Sequence, residues 1–148
     1  REDMAFGAHY AGRAINISRT TAPHALSYFF TSYFGVPHGH AVALSLGTFL
    51  KFNMEVSQSD AADPRGVVYI KETIRELIQH MGFSTADEVV QMVQKIMRGA
   101  GLAKYLSDFG FKEADVDFCV RSVNVERLNN NPRKVTAKAL RTIVMGLL

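Results

Sequence analysis

A chain of 148 residues, 47% hydrophobic and 21% charged, has room for one hydrophobic core and little more. Its single cysteine, Cys119, excludes a scaffold built on internal disulfides; no apolar run approaches the roughly 20 residues that span a bilayer; and the hydrophobic content excludes disorder as the state of the whole chain. The excess of 17 basic over 14 acidic residues is too small and too dispersed to point to nucleic acid.

The dominant period is helical. Ala5, Ala8, Ala11, Gly12 and Ile15 keep one face of an opening helix small and apolar up to about Ile17. The run Arg19-Thr20-Thr21-Ala22-Pro23 interrupts it. Proline is favourable at a first helical position, so a second helix is expected from Pro23 to about Ser32, carrying His24, Leu26, Tyr28, Phe29 and Phe30. Gly35-Val36-Pro37 breaks that pattern, and a third helix is expected from His38 to about Val56. Ser57 to Gly66 has loop composition. Gly66 to Met81 is helical again, with Val67, Ile70, Ile74, Leu77 and Ile78 on one face and Gly82 after its end.

Thr85 and Glu88 fit a capping box, opening a helix that runs to about Met97 and stops at Gly99-Ala100-Gly101. An irregular piece from Leu102 to Phe111 leads to a helix over Glu113–Val123. Asn129-Asn130-Asn131-Pro132 reads as a turn, and Thr136 to Leu148 as a last helix. No alternating strand pattern, repeat or low-complexity tract is present. The expectation is one all-α domain of about seven or eight helices over residues 1–148. The chain opens Arg1-Glu2-Asp3-Met4, without an initiator methionine and without the basic-then-apolar pattern of a signal peptide, so it is expected to be a piece of something larger.

Three of the five histidines fall between His24 and His40, and imidazole is the commonest neutral metal ligand near pH 7. On one continuous helix His24 and His38 would stand about 21 Å apart, too far to share an ion. A helix ending near Ser32 advances only about 12 Å past His24. Five extended residues can return about 16 Å, so a shared metal is sterically open if the chain doubles back. The alternative is two helix-terminal histidines satisfied by backbone groups. Two ligands are also fewer than the three protein groups a catalytic metal ordinarily takes, and no Asp-x-x-x-His occurs in the chain to supply the rest.

His40 is two residues from His38 and faces another side of a helix, which favours a structural polar role. His9 and His80 read as ordinary helix residues, and Glu76 with His80 as a solvated i,i+4 ion pair. Cys119, inside an apolar helix, reads as a buried inert thiol. Arg19, Thr20 and Thr21 fit either a phosphate contact or a plain helix-linking turn. Gly99-Ala100-Gly101 lacks the third glycine of a dinucleotide fingerprint.

The stretch Thr20–Leu44, TTAPHALSYFFTSYFGVPHGHAVAL, resembles the iron-containing (group III) alcohol dehydrogenase family, in its C-terminal, all-helical, metal-binding domain (the dehydroquinate synthase-like α-domain). Ala11-Gly12-Arg13-Ala14 resembles that family's "laG.Af" segment, and Asn131-Pro132-Arg133-Lys134-Val135-Thr136 its "NPR..T" ending. The resemblance implies that His24 and His38 are two of four metal ligands, the ion being a divalent metal, Fe2+ or Zn2+. It places the other two, an Asp and a His on one helix, before Arg1, together with an α/β domain that binds NAD or NADP through a glycine-rich loop.

On this resemblance the chain is the C-terminal fragment of a cytoplasmic, homo-oligomeric oxidoreductase. The reaction implied is hydride transfer between a small alcohol or aldehyde and nicotinamide, and the fragment alone is expected to be inactive. Tyr28 departs from the pattern: many members carry another histidine there, near the substrate. A phenol can hydrogen-bond an alcohol but ordinarily titrates near 10 rather than near 6.5, which puts proton relay at Tyr28 in question. Tyr28 together with "PHGHAVAL" looks most like a branch that includes phosphonoacetaldehyde reductases. Glycerol dehydrogenases and dehydroquinate synthases also resemble this domain, although the synthase pattern wants Glu where His40 stands. A non-catalytic helical interaction module is the competing reading from a different class.

Overall fold

The computed structural model describes residues 1–148 and contains eight α-helices with no named strand. They are α1 (Glu2–Ile17), α2 (Ala22–Phe34), α3 (His38–Met54), α4 (Gly66–His80), α5 (Ala86–Gly99), α6 (Val116–Ser122), α7 (Val125–Leu128) and α8 (Ala137–Met145). Short 3-10 turns at Leu106–Phe109 and Glu113–Asp115 lead into α6. The expected all-α architecture and helix number are therefore observed. No helix is long and apolar enough to cross a membrane.

Local sequence explains most of the boundaries. α2 begins one residue before Pro23 and runs to Phe34, two residues past the expected end. It stops because Gly35 takes a left-handed conformation (φ +65°), and the Val36 N–H turns back to the Phe30 carbonyl. Val36 is then fully buried, and Pro37 stands as the N-cap of α3. The capping box at α5 forms as expected: Thr85 Oγ1 accepts from the Glu88 N–H at 3.3 Å, and Glu88 Oε2 accepts from the Thr85 N–H at 2.9 Å. The helix expected over Glu113–Val123 is divided, with a 3-10 turn first and α6 ending at Ser122. The last helix is shorter than expected, because Thr136 caps α8 through the Ala139 N–H and α8 closes at Met145.

α3 is the central element, packed against α2, α4, α5 and α8. The larger core gathers Leu26, Phe30, Phe49, Phe111, Val116 and Leu140, among others, from α2, α3, α6, α8 and the loops between them. A smaller core joins Ile70, Ile74 and Ile78 of α4 to Val56 and Val89. α3 and α5 meet closely at Gly47: a β-carbon there would lie 2.9 Å from Val90 Cγ2, so the helices are packed to a distance that a side chain would increase. α1 differs from every other helix of this length in burying none of its residues.

The Asn-Pro-Arg segment is a clamp. Arg133 donates through Nη1 to the Phe52 carbonyl and through Nε to Asp60 Oδ2, each at 2.7 Å, while its guanidinium lies over the Phe52 ring. Buried Asn131 and Asn53 exchange side-chain amide hydrogen bonds at 2.7 and 3.3 Å. Lys134 N–H donates to the Asp60 carbonyl and Ala62 N–H to the Pro132 carbonyl, both at 2.8 Å. The 57–66 loop and the end of α3 are thus held to the C-terminal segment that leads into α8.

Candidate metal centre

The short link Gly35–Pro37 returns the chain along α2, so α3 starts beside the first two turns of α2. His24 is on the first turn of α2 and His38 is the first residue of α3. Their ring centroids are 4.6 Å apart, with the planes nearly perpendicular at 81°. Both rings are half-buried. The doubling back that the spacing left open is what the fold does.

Ser27 links the two histidines. Its hydroxyl donates to the His24 carbonyl at 2.7 Å, and its Oγ lies 3.3 Å from His38 Nδ1. A serine hydroxyl has one proton, and the shorter bond takes it. Toward His38 the oxygen is therefore an acceptor, which places the imidazole proton on Nδ1 and leaves the Nε2 lone pair free. That is the tautomer needed to ligate a metal through Nε2.

His24 has Tyr28 as its neighbour one turn on. The Tyr28 hydroxyl is 3.2 Å from His24 Nε2, and the Tyr28 ring stands 5.2 Å from that of His38. Burial, then the nearby His38 and Arg127 charges, hold the His24 pKa below its ordinary 6.5. All three effects disfavour the imidazolium and keep the ring in the neutral form that binds metals. Arg127, on α7, places its guanidinium 4.0 Å from the Tyr28 ring centroid. The sequence reading did not single out Arg127; the one available signal was Asn124, whose side chain accepts from the Arg127 N–H and caps α7.

The other histidines stand apart. His40 is buried, with Nε2 2.7 Å from the Ala103 carbonyl and its ring edge-on to Phe109, which is the structural polar role expected of it. His9 and His80 are exposed helix residues. The expected Glu76–His80 ion pair does not form: both residues are solvated, and the ion pairs lie elsewhere, such as Lys51–Asp87 and Arg141–Asp117. At the surface the hydration of each group outweighs a weak i,i+4 attraction. Cys119 is fully buried and desolvation pushes its thiol up to about 12, so it is inert as a nucleophile. Arg19 and Thr21 border a groove of about 970 Å³ that also takes in Asp63 and Arg65 but is not lined by His24 or His38.

Nowhere does this chain bring three or more His, Cys, Asp or Glu side chains together in an arrangement that could hold a metal ion. His24 and His38 form a donor pair of the right chemistry: two neutral nitrogens, one with its tautomer fixed, on adjoining helix starts. They fit as part of a ligand set rather than as a whole one.

A helical domain with paired histidines on either side of a Gly-Val-Pro turn defines the class. The chain matches the Fe-containing alcohol dehydrogenase family, C-terminal, over residues 1–147, and it belongs to that family. Among its relatives is the phosphonoacetaldehyde reductase of Streptomyces viridochromogenes, 32% identical over 90% of this chain and 33% of the relative. Another is the 1,3-propanediol dehydrogenase of Klebsiella pneumoniae, 28% identical over 90% of this chain and 34% of the relative. The crystal structure of sulfoacetaldehyde reductase from Bifidobacterium kashiwanohense in complex with NAD+ superimposes with a TM-score of 0.69. It is 26% identical and matches 86% of this chain and 31% of its own. The chain spans about a third of the length of the relatives it matches.

Proposed function

We propose that residues 1–148 are the C-terminal domain of a metal-dependent, NAD(P)-linked oxidoreductase that interconverts a small aldehyde and its alcohol. The observation that supports this most directly is the closure of His24 on His38, ring centroids 4.6 Å apart, within a chain of the Fe-containing alcohol dehydrogenase family. His24 and His38 are the residues of this chain that would hold the divalent metal, iron or zinc. The remaining ligands and the nicotinamide site belong to the preceding part of the polypeptide, a cytoplasmic homo-oligomer in this reading. When bound, the metal supplies a Lewis acid for the substrate oxygen and the nicotinamide gives or takes the hydride.

What this chain's residues do follows from their contacts. Ser27 fixes the tautomer of His38. His40 anchors the first turn of α3 to Ala103, so the His38 ring has a rigid base. Tyr28 presents a hydroxyl beside His24 that can donate to, or accept from, a substrate hydroxyl.

The test uses the full-length polypeptide loaded with Fe2+ or Zn2+. Its NAD(P)H is consumed on addition of phosphonoacetaldehyde, sulfoacetaldehyde, lactaldehyde or the aldehyde of 1,3-propanediol, followed by absorbance. His38→Ala loses both metal and activity. Activity that survives with metal retained in His38→Ala refutes the ligand assignment, and failure on all four aldehydes refutes the reaction.

A further inference from the structure

Arg127 differs from the arginines that hold an aspartate, and it lies closer to its aromatic ring than Arg13 does to Tyr10, 4.0 against 5.9 Å. Arg65, Arg133 and Arg141 each hold an aspartate. Arg127 has no ion pair: its guanidinium is stacked on the Tyr28 ring at 4.0 Å, on an exposed side chain. The ring covers one face of the cation and no protein group takes its side-chain N–H groups, so the fork is open to an oxoanion in a bidentate grip. The backbone beneath is held, because Asn124 Oδ1 accepts from the Arg127 N–H at 3.1 Å.

A cleft of about 240 Å³ opens at this point, floored by Phe29 and Val123 and edged by Tyr28, Ser122, Asn124 and Arg127. Its size suits a molecule of a few heavy atoms. Tyr28 is the shared wall between this cleft and the histidine pair: its hydroxyl reaches His24 Nε2 at 3.2 Å and its ring face supports Arg127. One side of Tyr28 thus carries the pair proposed to act on the substrate oxygen, and another carries a free cation.

We propose that Arg127 binds an oxoanion at the far end of the substrate, so that the aldehydes this domain selects are short ones ending in a phosphonate, sulfonate or carboxylate. The assignment of the anion to the substrate rests on the preceding reading of His24 and His38. The binding of the anion by Arg127 does not.

The experiment measures binding first, by calorimetry on the metal-loaded full-length polypeptide, with 2-hydroxyethylphosphonate, 2-hydroxyethanesulfonate and uncharged 1-propanol as probes. Arg127→Gln is expected to weaken both anions by about 10- to 100-fold relative to 1-propanol, and Arg127→Lys by less, because a lysine keeps the charge but not the fork. The two anions then rank the phosphonate against the sulfonate. The ratio of kcat/KM for the anionic aldehyde to that for propanal falls by a similar factor in Arg127→Gln.

Anion affinities that Arg127→Gln leaves unchanged, or that fall in step with 1-propanol, overturn the proposal. So does an effect confined to the KM of the coenzyme. A protein that binds the anions through Arg127 but reduces no aldehyde refutes the redox reading and supports the anion site. One that reduces propanal as well as it reduces anionic aldehydes refutes the anion site alone.

Discussion

At the scale of single residues, one hydroxyl proton decides what His38 can do. Ser27 spends its proton on the His24 carbonyl at 2.7 Å, and so meets His38 Nδ1 as an acceptor. Ser27 is fully buried, and alanine keeps the backbone and most of the packing while removing that acceptor. In the full-length polypeptide Ser27→Ala is therefore expected to mix the two His38 tautomers and to weaken metal binding by about 10- to 100-fold, the usual cost of losing a supporting hydrogen bond to a ligand. Nitrogen-15 NMR of labelled histidine reads the tautomer without metal, and chelator competition reads the affinity. A His38 that stays protonated at Nδ1 in the variant, with affinity unchanged, refutes the role. A fall in affinity through unfolding would show as a lowered Tm, which the tautomer argument does not require.

At the scale of elements, the Asp60–Arg133 contact joins a loop to the C-terminal segment across the end of α3. Asp60 accepts from the Ser57 N–H at 2.7 Å, from the Ser57 hydroxyl at 2.8 Å and from Arg133 Nε at 2.7 Å. The Ser57 backbone bond first, then Arg133, holds its pKa at about 2, below the ordinary 3.8. A carboxylate whose folded pKa is depressed stabilises the fold fully above its unfolded value, and that contribution fades as pH falls through the folded one. The clamp is thus expected to weaken between about pH 4 and pH 2. Asp60→Asn is expected to lose about 1–3 kcal/mol at pH 7 and to flatten the pH dependence of stability in that window, read from urea midpoints. Parallel acid profiles for the two proteins would show that Asp60 is not the group responsible.

The same contact shows which parts of the fold could be read in advance. Gly35, Pro37 and the Thr85–Glu88 box act within a few residues, so the breaks around α2, α3 and α5 were legible from local chemistry. α7 was not, because four residues are too few to show a period, and Asn124 had to be recognised as a cap without one. Nor was the pairing of Asp60 with Arg133, or of Arg127 with Tyr28, since neither pair shares an element or a spacing rule. His24 and His38 lay between these cases: spacing left their meeting open, family resemblance favoured it, and the left-handed Gly35 made it happen.

At the scale of the whole molecule, α1 is the element that this chain does not account for. Sixteen residues with glycines at Gly7 and Gly12 make a weak helix in water, since each interior glycine costs about 1 kcal/mol relative to alanine. Most helices of that kind are held by an apolar face packed on a core, yet α1 has no buried residue, and Met4, Phe6, Tyr10, Ile15 and Ile17 are all exposed. The relatives are about three times longer, and two metal ligands are expected ahead of Arg1. Together with the proposed metal reading, the exposed apolar side chains of α1 and the length of the relatives lead to one expectation, that α1 is covered, and the His24–His38 pair completed, by the preceding part of the polypeptide. Hydrogen exchange should therefore find the α1 amides fast in the 148-residue chain and protected in the full-length protein, while α2 and α3 are slow in both. The 148-residue chain should also bind Zn2+ weakly and show no NAD(P)-linked turnover. Tight stoichiometric metal in the 148-residue chain would mean that a third ligand lies within it, and equal exchange of α1 in the two proteins would mean that the helix stands without cover.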